Sequence, residues 1–435
     1  MTQLNLFDSI KNYPQANDSL KNQNLSTNIF TNRYSIHRWY NFIAGFSPEF
    51  VSYCINAAQL TPNDIIIEPF SGLGTTLVEA NFQNVYSIGF EANPFFHDIS
   101  KAKLFPPSDT GQIKKIKDLL LSVSPYEHDL QKIWSQDALT FLNKLFSQEN
   151  LRFLANALTV ESNLDSQNIP IYRLIVSKVL EYTSLSQTDG IYKAPTSLKK
   201  AVNYLDAVSI VCHQIEIDIE NIDHNFNRKA QLNYGSSENM SSVEDESCSL
   251  CVTSPPYLNN FDFAEMTRME LYFWRYANSW KDITEKVRRH LIVNTTTAPT
   301  DLKKNQELFS ASFSPDFRIK YLQPLVEKLI YERKNRPGKK DYYLLVYPYF
   351  SQMQNVIREL RRILKPNSHL HLIIADAALY GIYIPTQEIL SEIMKNNGFK
   401  INKIDNLRTR GERWILTKRT GSSKLGEYHI YAERI

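Results

Sequence analysis

The sequence predicts an α/β fold, a parallel sheet interrupted by a mostly helical insertion. Three observations predict it. NDIIIEPFSGLGTTLVEANFQNVYSIGFEANP, in the first hundred residues, reads as strand, glycine turn, helix and second strand, the opening unit of a parallel sheet. From about 100 to 230 glycine almost vanishes and leucine and isoleucine recur at helical spacing. From QLNYGSS onward strand texture returns and alternates with helices to the C-terminus.

Each element has a local reason. Residues 1–30 are rich in Asn, Gln and Ser and predict little order. SPEFVSYCINAAQL predicts a helix over 47–60, capped by Ser47, with Pro48 in its first turn and Glu49 adding favourable charge. DIII is a β-branched run and so a buried strand. FSGLGTT is a turn, TLVEANFQN a helix and VYSIGFE the second strand. QIKKIKDLLLSV, DLQKIWSQDALTFLNKLF and SLKKAVNYLDAVSIVCHQIEIDIENI predict helices in the insertion. SLCV then predicts a strand that runs into TSPPY. EMTRMELYFWRYANSW predicts an aromatic-rich helix, followed by a polar stretch ending in YERKNRPGKKDYY. In the tail, QNVIRELRRILKPNS is an amphipathic helix closed by Pro366, HLHLIIAD a strand and IPTQEILSEIMKNNGF a helix. KINKIDNLRTR, RWILTKRT and EYHIYAERI are the last strands.

Bulk properties bound the function. The 435 residues are too many for one ordinary domain and suit two, or one with a large insertion. A composition of 43% hydrophobic and 22% charged residues is that of a globular chain, and a net charge of +3 neither requires nor excludes nucleic acid. The 4 cysteines argue against a disulfide framework and suit a reducing cytoplasm. No apolar run reaches transmembrane length and the N-terminus lacks the layout of a secretory signal, so the expectation is a cytoplasmic protein with no membrane partner. Cys248 and Cys251 form a CxxC, but a structural zinc site needs four ligands and only Cys54 and Cys212 remain; the expectation is buried thiols and no metal.

The glycine turn carries the first chemistry. Gly72 and Gly74 sit where a strand hands over to a helix, so backbone amides can approach a ligand at a helix N-terminus. Glu91 ends the next strand, where a carboxylate can accept both hydroxyls of a ribose. The pair predicts a nucleoside-containing cofactor. Neither G-x-G-x-x-G nor G-x-x-x-x-G-K-[ST] is present; a short G-x-G backed by Thr75 and Thr76 suits a carboxylate or amino-acid moiety better than a pyrophosphate. The second chemistry lies at the SPPY corner. Its prolines end the SLCV strand. Ser254 and the carbonyl of Pro255 offer acceptors, and Tyr257 offers a flat face: an amine on a planar ring, such as a nucleobase, would meet both needs.

EPFSGLGTT, GFEANP and TSPPY together resemble the S-adenosylmethionine-dependent DNA amino-methyltransferases, which modify the exocyclic nitrogen of cytosine or adenine. The likeness covers the first hundred residues and about 230 to 435. It implies a Rossmann-like class I methyltransferase sheet, with a first catalytic part at 1–100, a helical insertion at 101–230 and a second catalytic part at 231–435 that holds a loop-rich insertion near 258–340. In many SPPY enzymes the tetrapeptide precedes the glycine turn. Here it follows, which makes 101–230 the candidate target-recognition region, with 258–340 competing. Serine in first place resembles the N4-cytosine group, whereas Asp or Asn is commoner in the adenine group. N6-adenine methylation is the alternative, followed by an RNA base methyltransferase or a catalytically inactive DNA-binding homologue.

The resemblance also implies roles. SIHRWYNFIAGFSPEFV would close over the methionine end of the cofactor. Glu68 would lie near its amino group, with Pro69, Phe70, Thr75 and Thr76 around it; Gly72 and Gly74 would lie near its carboxylate. Glu91 would hold the ribose, with Asn93 beside it. Where the family often has an acid near the adenine amine, YGSS supplies Ser236. Asp376 would face the site. Ser254, Pro255, Pro256 and Tyr257 would hold a flipped base for in-line methyl transfer, with no covalent cysteine step. Asn259, Asn260 and Asp262 would line its pocket. Arg333, Lys334, Arg336, Lys339 and Lys340 would contact phosphates of double-stranded DNA, and RTRGER is a second basic cluster. A cognate restriction endonuclease is the implied partner. Thr253 has no role beyond ending the strand.

Overall fold

The computed structural model describes residues 34–42, 45–188, 193–222, 226–259, 261–335, 340–410 and 425–435. Among them one 7-stranded sheet contains β1 (Ile65–Glu68), β2 (Tyr86–Glu91), β3 (Ala230–Tyr234), β4 (Cys248–Thr253), β5 (Leu364–Ala375), β6 (Phe399–Arg410) and β7 (Leu425–Arg434). The order across it is β6-β7-β5-β4-β1-β2-β3. Strands β3, β2, β1, β4 and β5 are parallel, and β7 runs antiparallel between β5 and β6. This is the Rossmann-like α/β architecture. The chain leaves β1 toward β2 on one side and reaches β4 on the other, so the crevice beyond the carboxyl ends of β1 and β4 is the switch point where ligands of such sheets bind.

The strands owe their burial to β-branched and apolar runs. Ile66 and Ile67 of β1 have no exposed surface and pair with both neighbours, Ile66 with Ser87 and with Leu250. Cys248 and Cys251 lie fully buried on β4 and pack as small apolar residues; burial pushes the Cys248 thiol up to about 11. The helix α1 (Pro48–Ala57) starts with Ser47 accepting from the Phe50 amide and with Pro48 in its first turn. It is followed by α2 (Thr75–Phe82) and α3 (Pro94–Leu104).

The insertion is mostly helical, with helices at Gly111–Ser122, Gln136–Leu145, Gln148–Val160, Ile169–Thr183 and Tyr204–Glu220, plus a hairpin of Ser186–Thr188 with Lys193–Leu198. The expected helix from residue 197 therefore starts at Tyr204, where the Asn203 side chain accepts from the Asp206 amide. The insertion shares one hydrophobic cluster with Leu77 of α2, Phe95, Phe96 and Ile99 of α3, and Tyr272 and Phe273.

Three further expectations shift. The aromatic segment after the corner breaks into Phe263–Met266 and Arg268–Phe273; between them the Thr267 hydroxyl bonds the Phe263 carbonyl at 2.9 Å, competing with the helix. The tail helix runs Val346–Ile363, starting earlier than its periodicity suggests because Val346, Pro348, Tyr349 and Phe350 are all buried and erase the polar face. Pro366 does not close that helix. It lies inside β5, at an irregularity where pairing jumps from Cys248↔Leu364 to Leu250↔His369, and it is exposed there, so it costs no ladder bond. RWILTKRT lies outside the described residues, as do residues 1–30. Among the described residues no helix is long and apolar enough to cross a membrane, and no group of three His, Cys, Asp or Glu is placed to hold a metal ion.

Candidate active site

The carboxyl ends of β1, β2 and β4 open into a cavity of about 500 Å³, a size suited to a drug-sized or cofactor-sized ligand. The glycine turn forms one wall. Gly72 and Gly74 have φ +52° and +80°, the left-handed region that favours glycine. A Cβ on Gly72 would meet nothing within 4 Å, so the backbone there faces open space. The Gly72 amide donates to Glu91 Oε2 at 2.7 Å, and the Asn93 amide donates to Glu91 Oε1 at 2.7 Å. Burial pushes the Glu91 carboxyl up to about 7, against the pull of those amides. Asn93 caps α3 by accepting from the Phe95 amide and ties it to Thr267 Oγ1 at 3.0 Å.

Glu68 ends β1 behind this wall and is 1% exposed. It accepts from the Phe70 amide at 3.0 Å, from Thr76 Oγ1 at 2.9 Å and from Thr253 Oγ1 at 2.5 Å. Burial pushes its carboxyl up to about 8, opposed by these donors. Thr253 therefore does more than end its strand. It knots the proline corner to the glycine turn across the β1–β4 pair.

The corner itself is held on several sides. Tyr349 donates to the Pro256 carbonyl at 3.0 Å, and Asn294 Nδ2 donates to the Tyr257 carbonyl at 3.2 Å. The Tyr257 hydroxyl donates to Glu427 Oε1 at 3.0 Å, and Arg408 pairs with the other oxygen of Glu427. Opposite the corner, the segment 34–40 is clasped from three directions. His37 pairs with Glu79 of α2 at 2.8 Å, Arg38 and Trp39 both donate to Asp218 of the insertion, and Tyr40 donates to Glu270 at 2.8 Å. Lys103 donates to the carbonyls of His37 and Tyr40 at 3.0 and 2.7 Å, and burial lowers its amine to about 7.

The cavity brings together Pro69, Phe70, Gly72, Thr75, Glu91, Asn93, Ser236, Ser254, Pro255, Pro256 and Tyr257, predicted from positions far apart in sequence. Glu68, Gly74 and Thr76 stand behind its wall. Asp262 does not line it: its carboxylate caps the helix Phe263–Met266 and holds Arg288 at 2.9 Å. Asn259 has φ +53° and donates its amide to the Asn294 carbonyl. Asp376 is buried and accepts from Tyr383 at 2.6 Å, outside the lining. Arg333 is paired with Asp341 at 2.7 Å, and Lys334 and Lys340 are exposed. Asn260, Arg336 and Lys339 lie outside the described residues. Arg408, the first residue of the RTRGER cluster, pairs with Glu427 and lines the cavity. Sequence reasoning missed Thr253, Lys103 and Glu427; the last enters through the pairing of two expected strands, and no local signal names that pairing.

Residues 6–102 match a family model described as DNA methylase. Among curated proteins, the Type II methyltransferase M.BsoBI of Geobacillus stearothermophilus is 22% identical, over 92% of this chain and 84% of that protein. M.AvaI of Anabaena variabilis is 23% identical over 85% and 80%. M.MvaI of Kocuria varians is 22% identical over 91% and 88%. All are Type II methyltransferases by name, and the matches span the glycine turn, the insertion and the corner alike.

Proposed function

We propose, for a chain that belongs to the S-adenosylmethionine-dependent DNA amino-methyltransferases of restriction–modification type, that its cavity methylates the N4 amine of a cytosine flipped out of duplex DNA. It would act in the cytoplasm, beside a cognate restriction endonuclease. S-adenosylmethionine is the cofactor, and it supplies an electrophilic methyl on its sulfonium. The residues present fit it. The Glu91 carboxylate lines the cavity and would accept from ribose hydroxyls, and the open backbone at Gly72 would leave room for a close approach. Thr75 and Ser236 supply hydroxyls at the same wall.

The cytosine amine is a poor nucleophile because its lone pair is delocalised into the ring. Ser254 Oγ and the Pro255 carbonyl accept its hydrogens and favour a pyramidal nitrogen, while Tyr257 stacks on the base. S-adenosylmethionine held at this wall would supply the methyl group, Ser254 Oγ and the Pro255 carbonyl would hold the amine in place, and the surplus proton of the amine would pass to water at the open mouth of the cavity. Asn259 and Asn260 are candidates for the edge of the base, while Asp262 holds Arg288. Arg333, Lys334, Arg336, Lys339 and Lys340 would meet phosphates, and the insertion at 101–230 is the candidate reader of sequence. The observation that carries the reading is that Ser254, Pro255 and Tyr257 share one cavity with Gly72 and Glu91. Modification-sensitive sequencing of DNA from a host expressing the protein tests it. One motif should carry N4-methylcytosine, lost with Ser254→Ala plus Tyr257→Ala; a mark unchanged by that double substitution contradicts the reading, and N6-methyladenine points to the adenine reaction instead.

A further inference from the structure

Glu427 lies on β7 and faces Arg408 of β6 directly across the antiparallel pair. It is 3% exposed, yet it lines the cavity. Its two oxygens are divided. One is paired with Arg408, and the other accepts from the Tyr257 hydroxyl at 3.0 Å. A second contact continues the line: Ser254 Oγ donates to the Tyr257 hydroxyl oxygen at 3.4 Å, a long contact of the kind that tightens when a site fills. Ser254, Tyr257 and Glu427 thus form a chain from the mouth of the cavity to a buried carboxylate.

The end of that chain sets its direction. A carboxylate paired with arginine has only lone pairs to offer. Tyr257 has one hydroxyl proton and gives it to Glu427, so its oxygen accepts from Ser254. Ser254 then has no proton left for the cavity and presents lone pairs. We propose that Glu427 is a positioning residue that orients the Ser254–Tyr257 hydroxyls so that the corner offers acceptors only, and thereby admits a base bearing an amine and rejects one bearing a carbonyl oxygen at the same place. This rests on the amino-methyltransferase reading above and adds a residue that reads the target's chemistry. Cytosine presents two hydrogens there, whereas uracil and thymine present an oxygen, whose lone pairs would face those of Ser254 and Pro255.

Glu427→Gln and Tyr257→Phe test it. Glutamine keeps the shape of Glu427 but its amide can donate to Tyr257, reversing the chain and turning the Ser254 proton into the cavity. Phenylalanine keeps the stacking face, removes the relay and leaves the Arg408–Glu427 pair untouched. With purified full-length protein, each variant should lower kcat for methyl transfer to duplex DNA roughly 10- to 100-fold. S-adenosylmethionine affinity by calorimetry and KM for DNA should stay within about twofold, on the order of experimental error, showing that the variants fold. The double variant should be no slower than the slower single one, because both cut the same chain. Wild-type kcat in both single variants, or losses that multiply in the double, would overturn the proposal while leaving the function standing. A wild-type protein that methylates no DNA would overturn both.

Discussion

Glu91 illustrates how much one buried carboxyl can report. In the free protein burial holds it up to about 7. On the proposed reading, ribose hydroxyls donating to it would favour its ionised form, so cofactor binding should release a proton near neutral pH. Affinity for S-adenosylmethionine should therefore rise as pH goes from about 6 to about 8 and flatten above, as the site's own pKa is passed. Calorimetry in buffers of different ionisation enthalpy measures both effects. Glu91→Gln should weaken binding roughly 10- to 100-fold and remove the pH dependence; a variant that keeps the same slope would locate the titration elsewhere. Thr253 makes a structural prediction. Thr253→Val keeps the shape and deletes the 2.5 Å bond to Glu68. It should lower unfolding free energy by about 1–3 kcal/mol in a denaturant titration, because a buried carboxyl loses a donor. Glu68 also titrates with folding. Its folded value near 8 lies above the ordinary 4.5, so the folded state holds a proton that the unfolded state has lost. Stability from this group is intact below about 4.5 and is lost as pH rises through about 8.

At the scale of elements, the turn between β1 and α2 depends on a glycine outside it. Gly89 sits in β2, and a Cβ there would lie 2.4 Å from Ser71 Oγ and 2.6 Å from Leu77 Cδ2. Gly89→Ala should push the turn toward the cavity and weaken cofactor binding by tenfold or more, on the order of 1–3 kcal/mol of overpacking; unchanged affinity by calorimetry would mean that the turn can shift without cost. Elements with strong local signals were legible in the sequence. Ile65–Ile67 announce a buried strand, Ser47–Pro48 a helix start, and Gly72 and Gly74 a turn that needs positive φ. What was not legible depends on contacts made elsewhere. The helix at Val346 begins in an all-apolar run because both its sides are covered, so no periodicity marks it. Thr267 breaks a helix because its hydroxyl is recruited by Asn93 as well as by Phe263. Pro366 is tolerated in a strand because the irregularity of β5 leaves it in solvent.

Over the whole molecule, the sheet order puts distant segments into one crevice. The corner at 254–257 and the turn at 69–75 meet because β4 pairs with β1, and a local motif at each end was enough to predict the meeting. Glu427 and Arg408 reach the same crevice only because β7 inserts antiparallel between β5 and β6, and that pairing has no motif. Charge gives a further expectation at this scale. The net +3 is too small to drive DNA binding alone, so on the proposed reading binding would rest on local basic groups. Replacing Arg333, Lys334 and Lys340 with alanine should weaken binding to duplex DNA of any sequence and lower the slope of log affinity against log salt by about 2. Arg333 should contribute least of the three, since it must leave Asp341; an unchanged salt slope would place the phosphate contacts elsewhere. The most direct test of the central claim is nucleoside mass spectrometry of unmodified duplex DNA after incubation with the purified protein and methyl-labelled S-adenosylmethionine. The account predicts label in N4-methylcytosine, absent when Ser254→Ala and Tyr257→Ala are combined; label confined to N6-methyladenine or 5-methylcytosine, or no labelled nucleoside at all, would contradict it.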